Sequence, residues 1–166
     1  SDANEFMSTI YEYINSLDKP TVFILFGDHL PYLDSEEKIF EKLGLDIVSD
    51  TYEAYENRYT TDYVIIGNNA YLKNNRPSIK GHQNLISSNY LSVKLLQYMN
   101  MEFTPFHSFL YDMMQYAPII SKQHNGTSEG FGEELPEEFN EIFKNYKILQ
   151  YYNIKDYEVQ QKGENQ

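Results

Sequence analysis

Cysteine and tryptophan are absent from this 166-residue chain, and arginine occurs only at Arg58 and Arg76. Without cysteine there is no disulfide, no thiolate zinc site and no cysteine nucleophile; the redox compartment stays open, because an exported protein needs no disulfide. Scarce arginine within a formal net charge of −12 argues against a nucleic-acid partner, whose phosphates are held by clustered Lys and Arg. An anionic small substrate would then need a metal or a local cationic pocket to offset repulsion. No apolar run approaches the roughly 20 residues that cross a bilayer, so no segment reads as a membrane span or signal peptide. Also missing are a Gly-x-Ser-x-Gly elbow, a phosphate loop ending in Gly-Lys-Ser or Gly-Lys-Thr, and a His-Glu-x-x-His pair.

What is present suits a soluble globular protein, with 41% hydrophobic and 23% charged residues. The length fits one domain with a real core, expected over residues 4–159, with 160–166 as a disordered tail. Phe6, Ile10, Ile14 and Leu17 share one face of a helix, and the apolar run Thr21 to Phe26 follows as a strand. Bounded by Pro20 and Gly27, that run reads as buried on both faces, the pattern of a parallel sheet covered by helices. A short helix is expected over Glu36 to Leu43, capped by Asp34 or Ser35 and ended by Gly44. Residues Asp46 to Thr60 read as a polar, tyrosine-rich surface excursion. Tyr63 to Gly67 is a second strand, and two such strands with a helix between them support a mostly parallel sheet.

Beyond it, Tyr71 to Gln83 is loop-like. Ser88 and Thr104-Pro105 start helices whose apolar faces carry Leu91, Leu95 and Met99, then Phe106, Leu110 and Met113. Lys122 to Gly132 reads as a flexible loop, a last helix starts near Pro136, and Lys147 to Tyr152 is a candidate edge strand. The Glu133-Glu134 and Glu137-Glu138 carboxylates suit the first turn of that last helix rather than catalysis.

The chemistry concentrates at Gly27-Asp28-His29, directly after the first strand, since α/β sheets bind ligands at the carboxyl ends of strands. An acidic group beside an imidazole there suits metal ligation or proton transfer. A capping aspartate beside a merely polar histidine is the bland alternative, and residue types alone favour it, because adjacent Asp-His pairs are common. A metal needs about four ligands for zinc and about five or six for manganese or magnesium, so the pair is at most part of a site. Of the other histidines, His107 lies beside an apolar helical face and His124 in the glycine- and serine-rich loop. His82 is the better candidate for a substrate-side or supporting role, because a loop after a strand can return to the rim.

Lys19 to Pro31, reading Lys-Pro-Thr, an apolar strand and Gly-Asp-His-Leu-Pro, resembles the lipoteichoic acid synthase and sulfatase-like branch of the alkaline phosphatase superfamily. Arg58 to Asn68 is similar to that family's strand reading Tyr-x-Thr-Pro-apolar-Asn, with Asp62 in place of the usual proline. Ile86 to Leu91, Phe103 to Phe106, Ala117 to Ser121 and Tyr146 to Tyr152 extend the resemblance to about residues 5–157. It implies an α/β, partial alkaline-phosphatase-like domain, with a mostly parallel sheet flanked by helices, and Asp28 and His29 as ligands of a divalent metal, manganese by expectation. It also implies that the threonine or serine nucleophile and further acidic ligands lie upstream, so that these residues form the C-terminal portion of the catalytic domain and are silent alone.

The complete enzyme is then expected to be a membrane-anchored phosphoglycerol transferase or sulfatase-like hydrolase on the extracellular face of a bacterial membrane. Its partner would be an anionic lipid or polymer head group, a phosphoglycerol or sulfate ester, with no nucleic acid and no membrane contact by this segment. A non-catalytic module binding a cell-wall polymer or a protein through its tyrosine-rich surface is the alternative, and a sheet edge left unpaired is a candidate route to a homodimer.

Overall fold

The computed structural model describes residues 2–33, 38–74, 77, 81, 84–121, 125–127, 130–132 and 136–163. They fold as a mixture of helices and short strands, an α/β composition, in two compact units. The first unit comprises Ser1–Lys80 with Gln97–Asn100, and the second Gly81–Leu96 with Met101–Gln166.

In the first unit, helix α1 (Asp2–Ser16) leads into strand β1 (Val22–Phe26), helices α2 (Lys38–Lys42) and α3 (Tyr52–Tyr59), strand β2 (Tyr63–Gly67) and helix α4 (Asn69–Asn74). β1 and β2 pair antiparallel, in register from Val22 opposite Gly67 to Phe26 opposite Tyr63. The expected parallel arrangement is therefore corrected for these two strands. An apolar run reports that a strand packs against something, not which way its neighbour runs. Here the chain leaves the ladder at Gly27 and returns at Asp62, whose carbonyl accepts the Gly27 N–H at 3.1 Å. The expectation of burial on both faces also fails, because β1 becomes exposed toward its end and Phe26 is 53% accessible. Among the described residues, β1 and β2 have no strand neighbour besides each other.

Asn68 holds this unit together at the opposite end of the ladder. Its side chain is 1% exposed. The Oδ1 accepts from Thr21 N at 3.0 Å and Tyr71 N at 2.8 Å. The two Nδ2 hydrogens are shared among the carbonyls of Ile14, Leu17 and Lys19, at 3.0–3.1 Å. One amide thus ends α1, sets the start of β1 and caps α4, whose first four N–H groups have no intrahelical partner. Gly67 packs so closely on Tyr71 that a Cβ there would collide with the ring, and its N–H donates to the Tyr98 hydroxyl at 2.9 Å.

Helix α4 corrects the expected loop over Tyr71 to Asn74, since Asn68 supplies a cap that periodicity does not reveal. Helix α3 likewise replaces part of the expected excursion: Thr51 accepts from Ala54 N as its N-cap and Ala54 is fully buried. Its periodicity was masked by tyrosines on several faces. The cap expected at Asp34 or Ser35 lies outside the described residues, and Gly44 follows α2 at φ +76°.

In the second unit, a 3-10 turn (Ser88–Tyr90) precedes helix α5 (Leu91–Met99), whose last residues belong to the first unit. Helix α6 (Pro105–Tyr116) begins as expected at Thr104, whose hydroxyl accepts from His107 N. Strands β3 (Asn125–Thr127) and β4 (Gly130–Gly132) form an antiparallel pair where a flexible loop was expected. Backbone pairing between Ile119 and Gly126 extends it. Helix α7 runs from Glu137 to Gly163, so Lys147 to Tyr152 is an exposed stretch of helix rather than an edge strand. The core gathers Tyr90, Val93, Leu110, Met113, Ala117 and Phe139. Tyr116, Phe139, Phe143 and Tyr146 stack in succession. Tyr90, fully buried, donates its hydroxyl to Ala117 O at 2.9 Å, and burial pushes its pKa upward.

Candidate functional site

β1 ends at Phe26, and the next three residues turn away from the ladder into solvent. Asp28 and His29 have side chains 83% and 74% exposed, so both are free to meet a ligand. Their orientation comes from local hydrogen bonds. The Asp28 Oδ1 accepts the His29 N–H at 3.0 Å, leaving Oδ2 turned toward the imidazole.

The His29 Nδ1 lies 2.7 Å from the Leu30 carbonyl oxygen. A carbonyl only accepts, so this contact assigns the proton to Nδ1 and leaves the Nε2 lone pair bare in the neutral ring. Nε2 is also the nitrogen facing Asp28, 3.7 Å from Oδ2. Two ligands on one cation at about 2.1 Å are separated by roughly 3.0–3.4 Å, depending on geometry. A small side-chain rotation would bring this pair to that spacing. The donor set, one carboxylate oxygen and one imidazole nitrogen with its other nitrogen tied to a backbone carbonyl, is the kind that holds a divalent cation.

Among the described residues, no third His, Asp or Glu joins the pair in a group that could hold a metal ion. His82 and His124 lie outside the described residues. His107 is half-buried on α6, with Nδ1 2.8 Å from the Thr104 hydroxyl, and serves the helix start.

Thr61 is the residue that sequence reasoning missed. Its hydroxyl donates to Gly27 O at 2.7 Å, across 34 positions. A Cβ on Gly27 would lie 2.9 Å from the Thr61 Cβ, so glycine is required by the close approach of that side chain. The sequence signal was its place as the threonine of the Tyr-x-Thr-Pro-like stretch before the second apolar run, and its contact with Gly27 becomes legible only once the strands are known to be antiparallel.

An exposed carboxylate and imidazole side by side directly after a strand make a candidate pair of divalent-metal ligands. The model of the Sulfatase family matches residues 1–101, which include β1, β2, Asp28, His29, Thr61 and Asn68, and the chain belongs to that family. No curated protein matches the chain, and neither does any solved structure.

Proposed function

We propose that the chain supplies part of the metal site of an extracellular, metal-dependent phosphoglycerol transferase or sulfatase-like hydrolase, with Asp28 and His29 as two ligands. The reading rests above all on the Nδ1 contact of His29 with Leu30 O, which turns a bare Nε2 toward the Asp28 carboxylate. Family membership and the Gly-Asp-His-Leu-Pro motif support it from the sequence side. The bound cation, manganese by resemblance, would act as a Lewis acid on a phosphoryl or sulfuryl oxygen.

Asp28 contributes negative charge and His29 a neutral nitrogen, each oriented by contacts with its immediate neighbours. With a net charge of −12, the chain on balance repels an anionic head group, and a held cation would offset that repulsion at this rim. Two ligands fall short of the number a divalent cation takes, so further ligands complete the site, and by resemblance the nucleophile is supplied with them. We place the complete enzyme, membrane-anchored, on the outer face of a bacterial membrane.

The test is a manganese titration of the purified chain, followed by broadening of the His29 ring protons and by turnover of a chromogenic sulfate ester and phosphodiester. Selective broadening at His29 that is lost in Asp28→Ala, without turnover, is the expected result. Manganese-dependent turnover lost in Asp28→Ala would refute the partial site, and no broadening at His29 would refute the ligand assignment.

A further inference from the structure

We propose that Thr61 is a positioning residue for the Asp28–His29 pair, clamping the turn that carries them to the start of β2. The inference rests on the reading of that pair as metal ligands, but the clamp itself is a property of the backbone. Gly27 is the last residue on the ladder side of the pair, and both of its peptide groups are held. Its N–H donates to Asp62 O at 3.1 Å, continuing the antiparallel pattern one step beyond Phe26 and Tyr63.

Its carbonyl is taken by the Thr61 hydroxyl at 2.7 Å. That carbonyl belongs to the same peptide plane as the Asp28 N–H, so fixing it fixes the plane from which Asp28 departs. The Thr61 side chain also stands where a Cβ of residue 27 would be, 2.9 Å from its Cβ and 3.2 Å from its Cγ2. The glycine and the threonine therefore fit as a matched pair.

Beyond Gly27, the described hydrogen bonds of Asp28 and His29 run only to each other and to Leu30. With both side chains exposed, no packing limits their swing. The connection to β2 is thus what separates a preorganised pair from a free turn, and preorganisation is what a metal site asks of its supporting residues.

The experiment compares Thr61→Val, which keeps the volume and removes the hydroxyl, with Thr61→Ser, which keeps the hydroxyl. Hydrogen exchange of the Gly27 and His29 amides and the His29 ring nitrogen shifts, which report the tautomer, are read by NMR; manganese ion alone serves as the metal probe. Thr61→Val is expected to speed Gly27 exchange by about fivefold, the scale of one lost hydrogen bond, and to weaken manganese broadening at His29 by a similar factor. Thr61→Ser should stay within about twofold of the parent.

If Thr61→Val unfolds the first unit, Gly27→Ala tests the same clamp from the other side and should loosen the same two amides. Unchanged exchange and an unchanged tautomer in Thr61→Val would overturn the proposal, as would Thr61→Ser behaving like Thr61→Val. A parent chain without manganese broadening, in which Thr61→Val still loosens the turn, refutes the ligand reading and leaves the clamp standing.

Discussion

Replacing Asn68 by alanine removes five side-chain hydrogen bonds at a position 1% exposed. Their values do not simply add, because three of the carbonyls are only partly buried and can turn to water. The N-cap of α4 costs about 1 kcal/mol when its acceptor is lost. That cap bond is the one to the Tyr71 N–H; the Thr21 N–H separately loses its side-chain acceptor, and a group left unpaired away from water costs about 1–3 kcal/mol. A loss of about 3 kcal/mol follows, a large share of the 5–15 kcal/mol that typically holds a domain. Urea denaturation followed by far-UV circular dichroism measures it, with the slope checked for constancy.

Asn68→Asp sharpens the test, because it keeps Oδ1 and the shape but turns a lone pair toward three carbonyl oxygens. Its ionised form is disfavoured in the folded state, so its folded pKa rises above the unfolded value of about 3.9. The deficit of this variant should therefore be smallest at low pH. It should grow as pH rises above the unfolded pKa and level off beyond the folded one. A loss below about 1 kcal/mol in Asn68→Ala, or an Asn68→Asp deficit that does not change with pH, would refute this account of the hub.

Two further outcomes can be checked independently. Asp46 is held at a pKa of about 2 by hydrogen bonds from the Ser49 side chain and from the Ser49 and Val48 backbone N–H groups. Its depressed pKa means its contribution is present above the ordinary value of 3.8 and is lost as pH falls through about 2. A carboxyl carbon titration should give that midpoint, and Ser49→Ala should move it upward. Tyr90→Phe leaves Ala117 O without the hydroxyl that now reaches it at 2.9 Å. It should cost about 1–2 kcal/mol in denaturant unfolding, and a neutral outcome would mean that water or a shifted backbone takes the carbonyl.

How much could be read in advance depended on how local each determinant was. The Thr104-Pro105 helix start, Gly44 at the end of α2 and the two apolar runs all act through groups a few residues apart, and each was legible. Helix α4 was not, because its cap reaches back to α1 and β1. The helical state of Lys147 to Tyr152 was misread because tyrosine, isoleucine and leucine suit either element. It lies within α7, downstream of the turns that Phe139 and Tyr146 bury.

The sequence by itself determined that a carboxylate and an imidazole stand together at the end of an apolar strand, since adjacency and hydrophobic patterning need no tertiary contact. It also determined family membership, carried by the run of residues 1–101. Only the tertiary structure decided that β2 runs antiparallel to β1, and so that Thr61, 34 positions further on, closes over Gly27. Strand direction is settled by which distant backbone groups meet, and no stretch of a few residues contains that information.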